Sequence, residues 1–232
     1  MNEITTVGVD LAKNVIAVCA ADRSGRIVLR RVFCRQGFAE WAVKLSPCVF
    51  GMEACGAAHH WARWLKSHGH DARIMAAEFV KPFRKSKAAK NDRNDAEAVL
   101  TAVRQPNMRF VALKSVEQQA VLSWHRMRQG WIEERTALIN RLRGLIGEFG
   151  VWVSRSAKVF TRALPRLEQD EALPLLTRRI LAEARSHLQR LDQLIALTEA
   201  EINAQAKASE AAGRIQAITG VGPITAGAPS PP

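Results

Sequence analysis

Residues 5–13, Thr5-Thr6-Val7-Gly8-Val9-Asp10-Leu11-Ala12-Lys13, decide the fold class. A β-branched, apolar run ends abruptly in a carboxylate, which reads as a buried strand with an acid at its end. Further strand-like runs follow at Val15–Ala20 and Ile27–Phe33, and Asp22-Arg23-Ser24-Gly25 between them is a turn signal. Three strands joined this closely predict an antiparallel meander. Helical spacing then appears from Gly37 to Leu45 through Phe38, Trp41 and Leu45. A fourth strand is expected at 48–52 (Cys48-Val49-Phe50-Gly51-Met52) and a fifth at Ala72–Met75. The helix expected between them, His60–His68, carries Trp61, Trp64 and Leu65. Strands alternating with helices imply parallel additions, hence a mixed α/β sheet.

Past this region the pattern changes. Pro106-Asn107 interrupts it, and residues 106–115 read as a linker. From Val116 a long helix is expected, with Ala120, Trp124, Met127, Trp131, Leu138, Leu142, Leu145 and Phe149 on one stripe. Pro165 and Pro174 bracket a connection. Leu181, Leu188, Ile195 and Ile202 then stand seven apart, with Ala184, Leu191 and Thr198 on the alternate seam. That heptad predicts a coiled coil or a long antiparallel hairpin. About 35 residues at about 1.5 Å each would span roughly 50 Å. The expected division is 1–110 for the sheet, 111–208 for the helical arm and 209–232 for a short C-terminal segment with Gly-rich Ile218–Ala226.

The 232 residues carry 34 Lys and Arg against 22 Asp and Glu, a formal charge of +12. Such a balance favours a polyanionic partner. No run approaches the roughly 18 apolar residues of a membrane helix, and Met1–Asp10 has no signal-peptide pattern, so a cytoplasmic protein is expected. The four cysteines, Cys19, Cys34, Cys48 and Cys55, form no C-x-x-C pair and read as buried thiols. Cys55 with His59 and His60 lacks the second half of a zinc site.

Four carboxylates stand out. Asp10 and Glu53 each end a strand, and Asp92 and Asp95 lie three apart at the start of a helix. That spacing puts the aspartates on one helix face, about 5–6 Å apart at Cβ. Open α/β sheets place their sites at strand ends. Acids grouped there repel unless a hard cation relieves them, and an all-oxygen set suits Mg²⁺ or Mn²⁺. Each acid alone could equally be a strand-end or helix cap. Lys81, Arg84, Lys85, Lys87, Lys90 and Arg93 fall within thirteen residues just before and into that helix. They are candidate phosphate contacts, or simply a solvated face. A second basic series is Arg126, Arg128, Arg135, Arg141 and Arg143.

Three blocks, Gly8–Lys13, Met52-Glu53-Ala54-Cys55-Gly56 and Lys90–Ala96, resemble those of the IS110 family of transposases. The resemblance implies an RNase H-like (RuvC-like) sheet followed by a coiled-coil arm. It implies that Asp10, Glu53, Asp92 and Asp95 are the D-E-D-D ligands of Mg²⁺ for DNA strand cleavage. It also implies DNA, a structured guide RNA and further protomers as partners. The family's C-terminal domain carries a serine nucleophile, and Ser230 in the Pro-rich tail does not match its motif. A chain truncated before that domain is therefore expected. Two rival functions follow: a non-catalytic nucleic-acid-binding or dimerising fragment, and an actin-like sugar kinase. The latter needs Gly-rich nucleotide loops, which this sequence does not supply.

Overall fold

Alternating apolar side chains build β1 (Ile4–Leu11), β2 (Val15–Asp22) and β3 (Ile27–Cys34) as an antiparallel meander. In this computed structural model the described residues are 3–84 and 92–227, with the backbone alone for 92–94. Asp22 makes the β2–β3 turn. Its carboxylate accepts from the Ser24 hydroxyl at 2.6 Å and from the Ser24 and Arg26 amides at 3.0 Å each. The Ser24 hydroxyl, ahead of the other contacts, holds that carboxyl below its usual range. Gly25 supplies the left-handed residue, with φ +89°.

Helix α1 (Arg35–Ala42) leads to β4 (Val49–Glu53), and α2 (Ala58–Ser67) to β5 (Asp71–Met75). β4 runs parallel to β1, and β5 parallel to β4. After α3 (Ala77–Val80), a 3₁₀ turn at Lys81–Phe83 and α4 (Asp92–Val103), the two-residue β6 (Phe110–Val111) pairs antiparallel with β5. The six strands lie in the order β3-β2-β1-β4-β5-β6. The sheet is therefore mixed, as the meander-then-crossover pattern predicts.

One face buries Val7, Val9, Phe50 and Met52 against Phe38 of α1 and Trp61 and Leu65 of α2. The other face buries Ala17, Cys19 and Ala21 against Ala96 and Leu100 of α4. Small residues on this second face let α4 lie close.

The sequence expectation needs correction in several places. Residues 106–115 are not a free linker: β6 pairs with Ile74 and Met75, and Arg63 donates to the Lys114 carbonyl at 2.7 Å. A two-residue strand is too short to show a period of two. Cys34 and Cys55 are exposed, and only Cys19 and Cys48 are buried. Cys34 sits at the N-cap of α1, its Sγ accepting from the Gly37 amide at 3.4 Å.

The chain divides between Ser115 and Val116 into two compact units. In the second, α5 (Val116–Gly147) and α7 (Leu175–Ala208) pack side by side, with α6 (Ala157–Leu167) against α7. They run antiparallel, because Arg128 pairs with Glu199 and Arg135 with Asp192. All seven seam residues expected on α7 are buried. On α5 the buried residues are Ile139, Leu142 and Ile146, and Met127, Leu145 and Phe149 are exposed. Apolar residues occur in adjacent pairs there (138 and 139, 145 and 146), so spacing alone did not choose the face. Pro165 stands inside α6 rather than in a connection. It falls in the last turn, so the helix forgoes an i−4 hydrogen bond near its end, and buried Phe160, Leu164 and Leu167 hold the helix. Two short helices, α8 (Glu210–Gln216) and α9 (Pro223–Ala226), follow.

Candidate acid site at the strand ends

The site begins with two glycines that face each other across parallel strands. Gly8 of β1 pairs with Gly51 of β4. A Cβ on Gly8 would collide with the Ala96 carbonyl and the Leu100 backbone, and one on Gly51 would lie 2.7 Å from the Val103 Cβ. Helix α4 therefore rests with its backbone against Gly8 and its Val103 side chain against Gly51, in a trough that a Cβ at either position would fill. Side chains two residues apart on a strand share a face. Asp10 and Glu53 are each two residues past a trough glycine, so both belong to the α4 face. Val9 and Met52 are register partners, so Asp10 and Glu53 follow side by side at the C-terminal ends of parallel strands. Strands about 4.8 Å apart bring their backbones that close. Arg30 of β3 donates to Glu97 of α4 at 2.9 Å, which helps fix the helix along its trough.

Placed this way, α4 delivers Asp95 to the same end. Arg84, just after the 3₁₀ turn, joins the two acids. Its Nη2 lies 2.8 Å from Glu53 Oε2, and its Nε lies 3.2 Å from Asp95 Oδ1. One guanidinium thus serves two carboxylates from separate elements. The acids are 25% and 19% exposed at the side chain, open to a ligand yet partly shielded from water.

Asp92 begins α4 three residues before Asp95, and its side chain lies outside the described residues, as does that of Arg93. Lys85, Lys87 and Lys90 also lie outside them. Lys81 is exposed on the 3₁₀ turn. Among the described residues, no three of His, Cys, Asp and Glu converge as a ready metal cluster. The donor chemistry nevertheless fits a hard cation. Glu53 and Asp95 already converge on one positive charge, and all the candidate donors are carboxylate oxygens.

The pattern of the DEDD transposases of IS110, described as "Transposase", matches residues 7–150. A Pseudomonas aeruginosa protein named "Probable family 20 transposase" is 41% identical over 228 residues, 97% of this chain and 67% of its own length. The transposase for insertion sequence element IS1111A of Coxiella burnetii is 40% identical over 228 residues, 97% of this chain and 62% of its own. This chain belongs to the IS110 transposase family. The transposase for insertion sequence element IS1328 of Yersinia enterocolitica is 34% identical, again over 97% of this chain and 67% of its own. The chain thus spans about two thirds of the length of these relatives.

Within this family member, sequence reading missed the two trough glycines. A signal was present: Gly8-Val9-Asp10 and Gly51-Met52-Glu53 repeat glycine, an apolar residue and an acid. The second basic series divides in two. Arg128 grips Glu199 through two nitrogens at 2.9 and 2.6 Å, and Arg135 reaches Asp192 at 2.7 Å. Arg143 donates to the Ser154 and Arg155 carbonyls and lies over the Phe160 ring. Those three hold helices together. Arg126 and Arg141 are exposed. Trp124 and Trp131 are half-buried on α5. No described helix is long and apolar enough to cross a membrane.

Proposed function

We propose that this chain is a DNA transposase that cuts DNA strands with divalent metal at Asp10, Glu53, Asp92 and Asp95. The observation that carries the reading is the single Arg84 cation shared by Glu53 and Asp95, beside Asp10 at the strand ends. A mixed sheet with acids at the ends of its first and fourth strands and on a covering helix agrees with an RNase H-like, RuvC-like domain. Mg²⁺ or Mn²⁺ bound by the four acids would polarise a phosphodiester and lower the pKa of the attacking water or hydroxyl. The chain's own residues do the rest. Asp10 and Glu53 are fixed by strand register, and Asp95 by the glycine trough. Arg84 offsets one of the two charges of the acid pair in the free protein, and Lys81, Lys85, Lys87, Lys90 and Arg93 supply positive charge for the DNA backbone.

The helical unit extends this reading. The buried heptad of α7 supports a coiled-coil arm that brings protomers together around DNA and a structured guide RNA. Calorimetric titration with Mn²⁺ tests the metal site. The intact chain should bind the ion, and Glu53→Gln and Asp95→Asn should each weaken binding at least about tenfold, a loss of roughly 1.4 kcal/mol. Equal binding by all three proteins removes the metal mechanism. DNA bound without a cut strand in the presence of metal would leave a non-catalytic fragment as the better description.

A further inference from the structure

Residues 149–167 contain Arg155, Lys158, Arg162 and Arg166 but no Asp or Glu. Spacings of three, four and four set these cations on one stripe of α6 and its lead-in. The opposite side of α6 buries Phe160, Leu164 and Leu167. All four cations are exposed, and among the described residues none has an ion-pair partner. Elsewhere in the same unit Arg128, Arg135 and Arg185 each hold a carboxylate. The stripe is therefore not part of the scaffold. Like charges at i and i+4 repel, and the positive end of the α6 dipole adds to the field.

Beside the stripe, a groove of about 510 Å³ opens between α5, α6 and α7, lined by Arg135, Lys158, Thr161, Arg162 and Asp192. Asp192 is held by Arg135 at 2.7 Å, so Lys158 and Arg162 face the groove uncompensated. Trp152, three residues before Arg155, is 86% exposed. An exposed indole in the loop that leads into a stripe of four unpaired cations suits phosphates for the cations and an unstacked base for the ring.

We propose that α6 and the loop before it dock a single-stranded segment of nucleic acid. Arg155, Lys158, Arg162 and Arg166 contact its phosphates, and Trp152 stacks on a base. This surface belongs to the helical unit, and the proposal does not depend on the carboxylate reading.

The test is fluorescence anisotropy of the full chain with a labelled, mixed-sequence single-stranded DNA. Lys158→Ala, Arg162→Ala and Arg166→Ala combined should weaken binding about tenfold or more at moderate salt. The slope of log affinity against log salt should become shallower by about 2. Trp152→Ala should cost at least about fivefold and leave that slope unchanged. Lys66→Ala, which removes an exposed cation of α2 that belongs to neither proposed site, should bind the oligonucleotide like the unaltered protein. Ultraviolet cross-linking of the unaltered protein, mapped by mass spectrometry, should label the peptide bearing Trp152, whether or not the variants fold. Unchanged affinity and slope in the folded triple variant overturn the proposal. So does a triple variant that loses duplex DNA or phosphatidylserine vesicles as strongly as it loses the single strand, or a cross-link map that omits residues 149–167.

Discussion

Arginine does opposite work in the two units. Arg128 and Arg135 stand seven apart on α5 and meet Glu199 and Asp192, also seven apart, on α7. Each pair is one carboxylate to one guanidinium and sets the register of an antiparallel hairpin. Arg84 instead meets two carboxylates from two elements of the sheet unit. The helical pairs are complete, whereas the sheet pair holds one more negative charge than its cation offsets. Charge balance, rather than residue type, separates a staple from a site.

The contrast can be broken first at the packing beneath it. Leu188 is buried in the α7 seam, touching the cluster of Phe160, Leu164 and Leu181. Leu188→Ala should cost about 2–5 kcal/mol by lost transfer energy and the cavity left behind. Urea denaturation followed by circular dichroism checks this. A cost under about 1 kcal/mol would mean that the seam relaxes and that the ion pairs, not the heptad, hold the hairpin.

In the sheet unit the corresponding weak point is the trough. Gly8→Ala forces a methyl into the backbone of α4, where nothing can rotate away. The expected cost is about 1–3 kcal/mol. Gly51→Ala meets the Val103 side chain instead and should cost less. Both variants lift α4 and should weaken Mn²⁺ binding through Asp95, with Gly8→Ala the more harmful. Full stability with normal metal binding in Gly8→Ala would mean that α4 is not positioned by the trough.

The sequence made the sheet legible because its strands alternate with helices and end in turn residues. The α7 seam was legible because seven positions repeat without a break. The face of α5 was not, since adjacent apolar pairs fit two stripes equally well. Nor was β6, whose two residues carry no period. The strand-end placement of Asp10 and Glu53 was legible by position. Arg84 was read as a phosphate contact or part of a solvated face, because its two partners lie 31 and 11 residues away in sequence. Pairing across such a distance follows from the fold and from no local pattern.

A buried histidine makes the sheet unit sensitive to pH. His70 lies 3.1 Å through Nε2 from the Ala42 carbonyl, and its Nδ1 accepts from the Cys48 amide at 3.3 Å. That pattern is the neutral ring with its proton on Nε2. Burial pushes its pKa down from 6.5. The unfolded chain then takes up a proton first, so stability should fall as pH drops below about 6.5. Burial raises the adjacent Cys48 thiol from 9.0 to about 12. There the unfolded chain loses its proton first, so stability should also fall as pH rises above 9.0. Thermal melts across pH check both limbs. Cys48→Ala should flatten only the alkaline one, and an unaltered alkaline limb in that variant would assign it to another group.

The smallest effect discriminates best between staple and site. Both Arg84 and Arg128 are partly exposed, so removing either should cost under about 1 kcal/mol in the metal-free protein. The consequences of the two losses differ. Arg128→Ala leaves Glu199 with Ile195, Ala196, Ile202 and Asn203 one turn away on its helix, none of which offers a divalent ion a second carboxylate. Arg84→Ala leaves Glu53 and Asp95 without the cation that joins them. Added Mn²⁺ should therefore restore the melting temperature of Arg84→Ala and leave that of Arg128→Ala unmoved. It should also bind Arg84→Ala more tightly than the unaltered chain, because the competing guanidinium is gone. If Mn²⁺ rescues neither variant, Arg84 is a staple like the others. If it rescues both, the ion acts by general screening and the acid pair has no special claim on it.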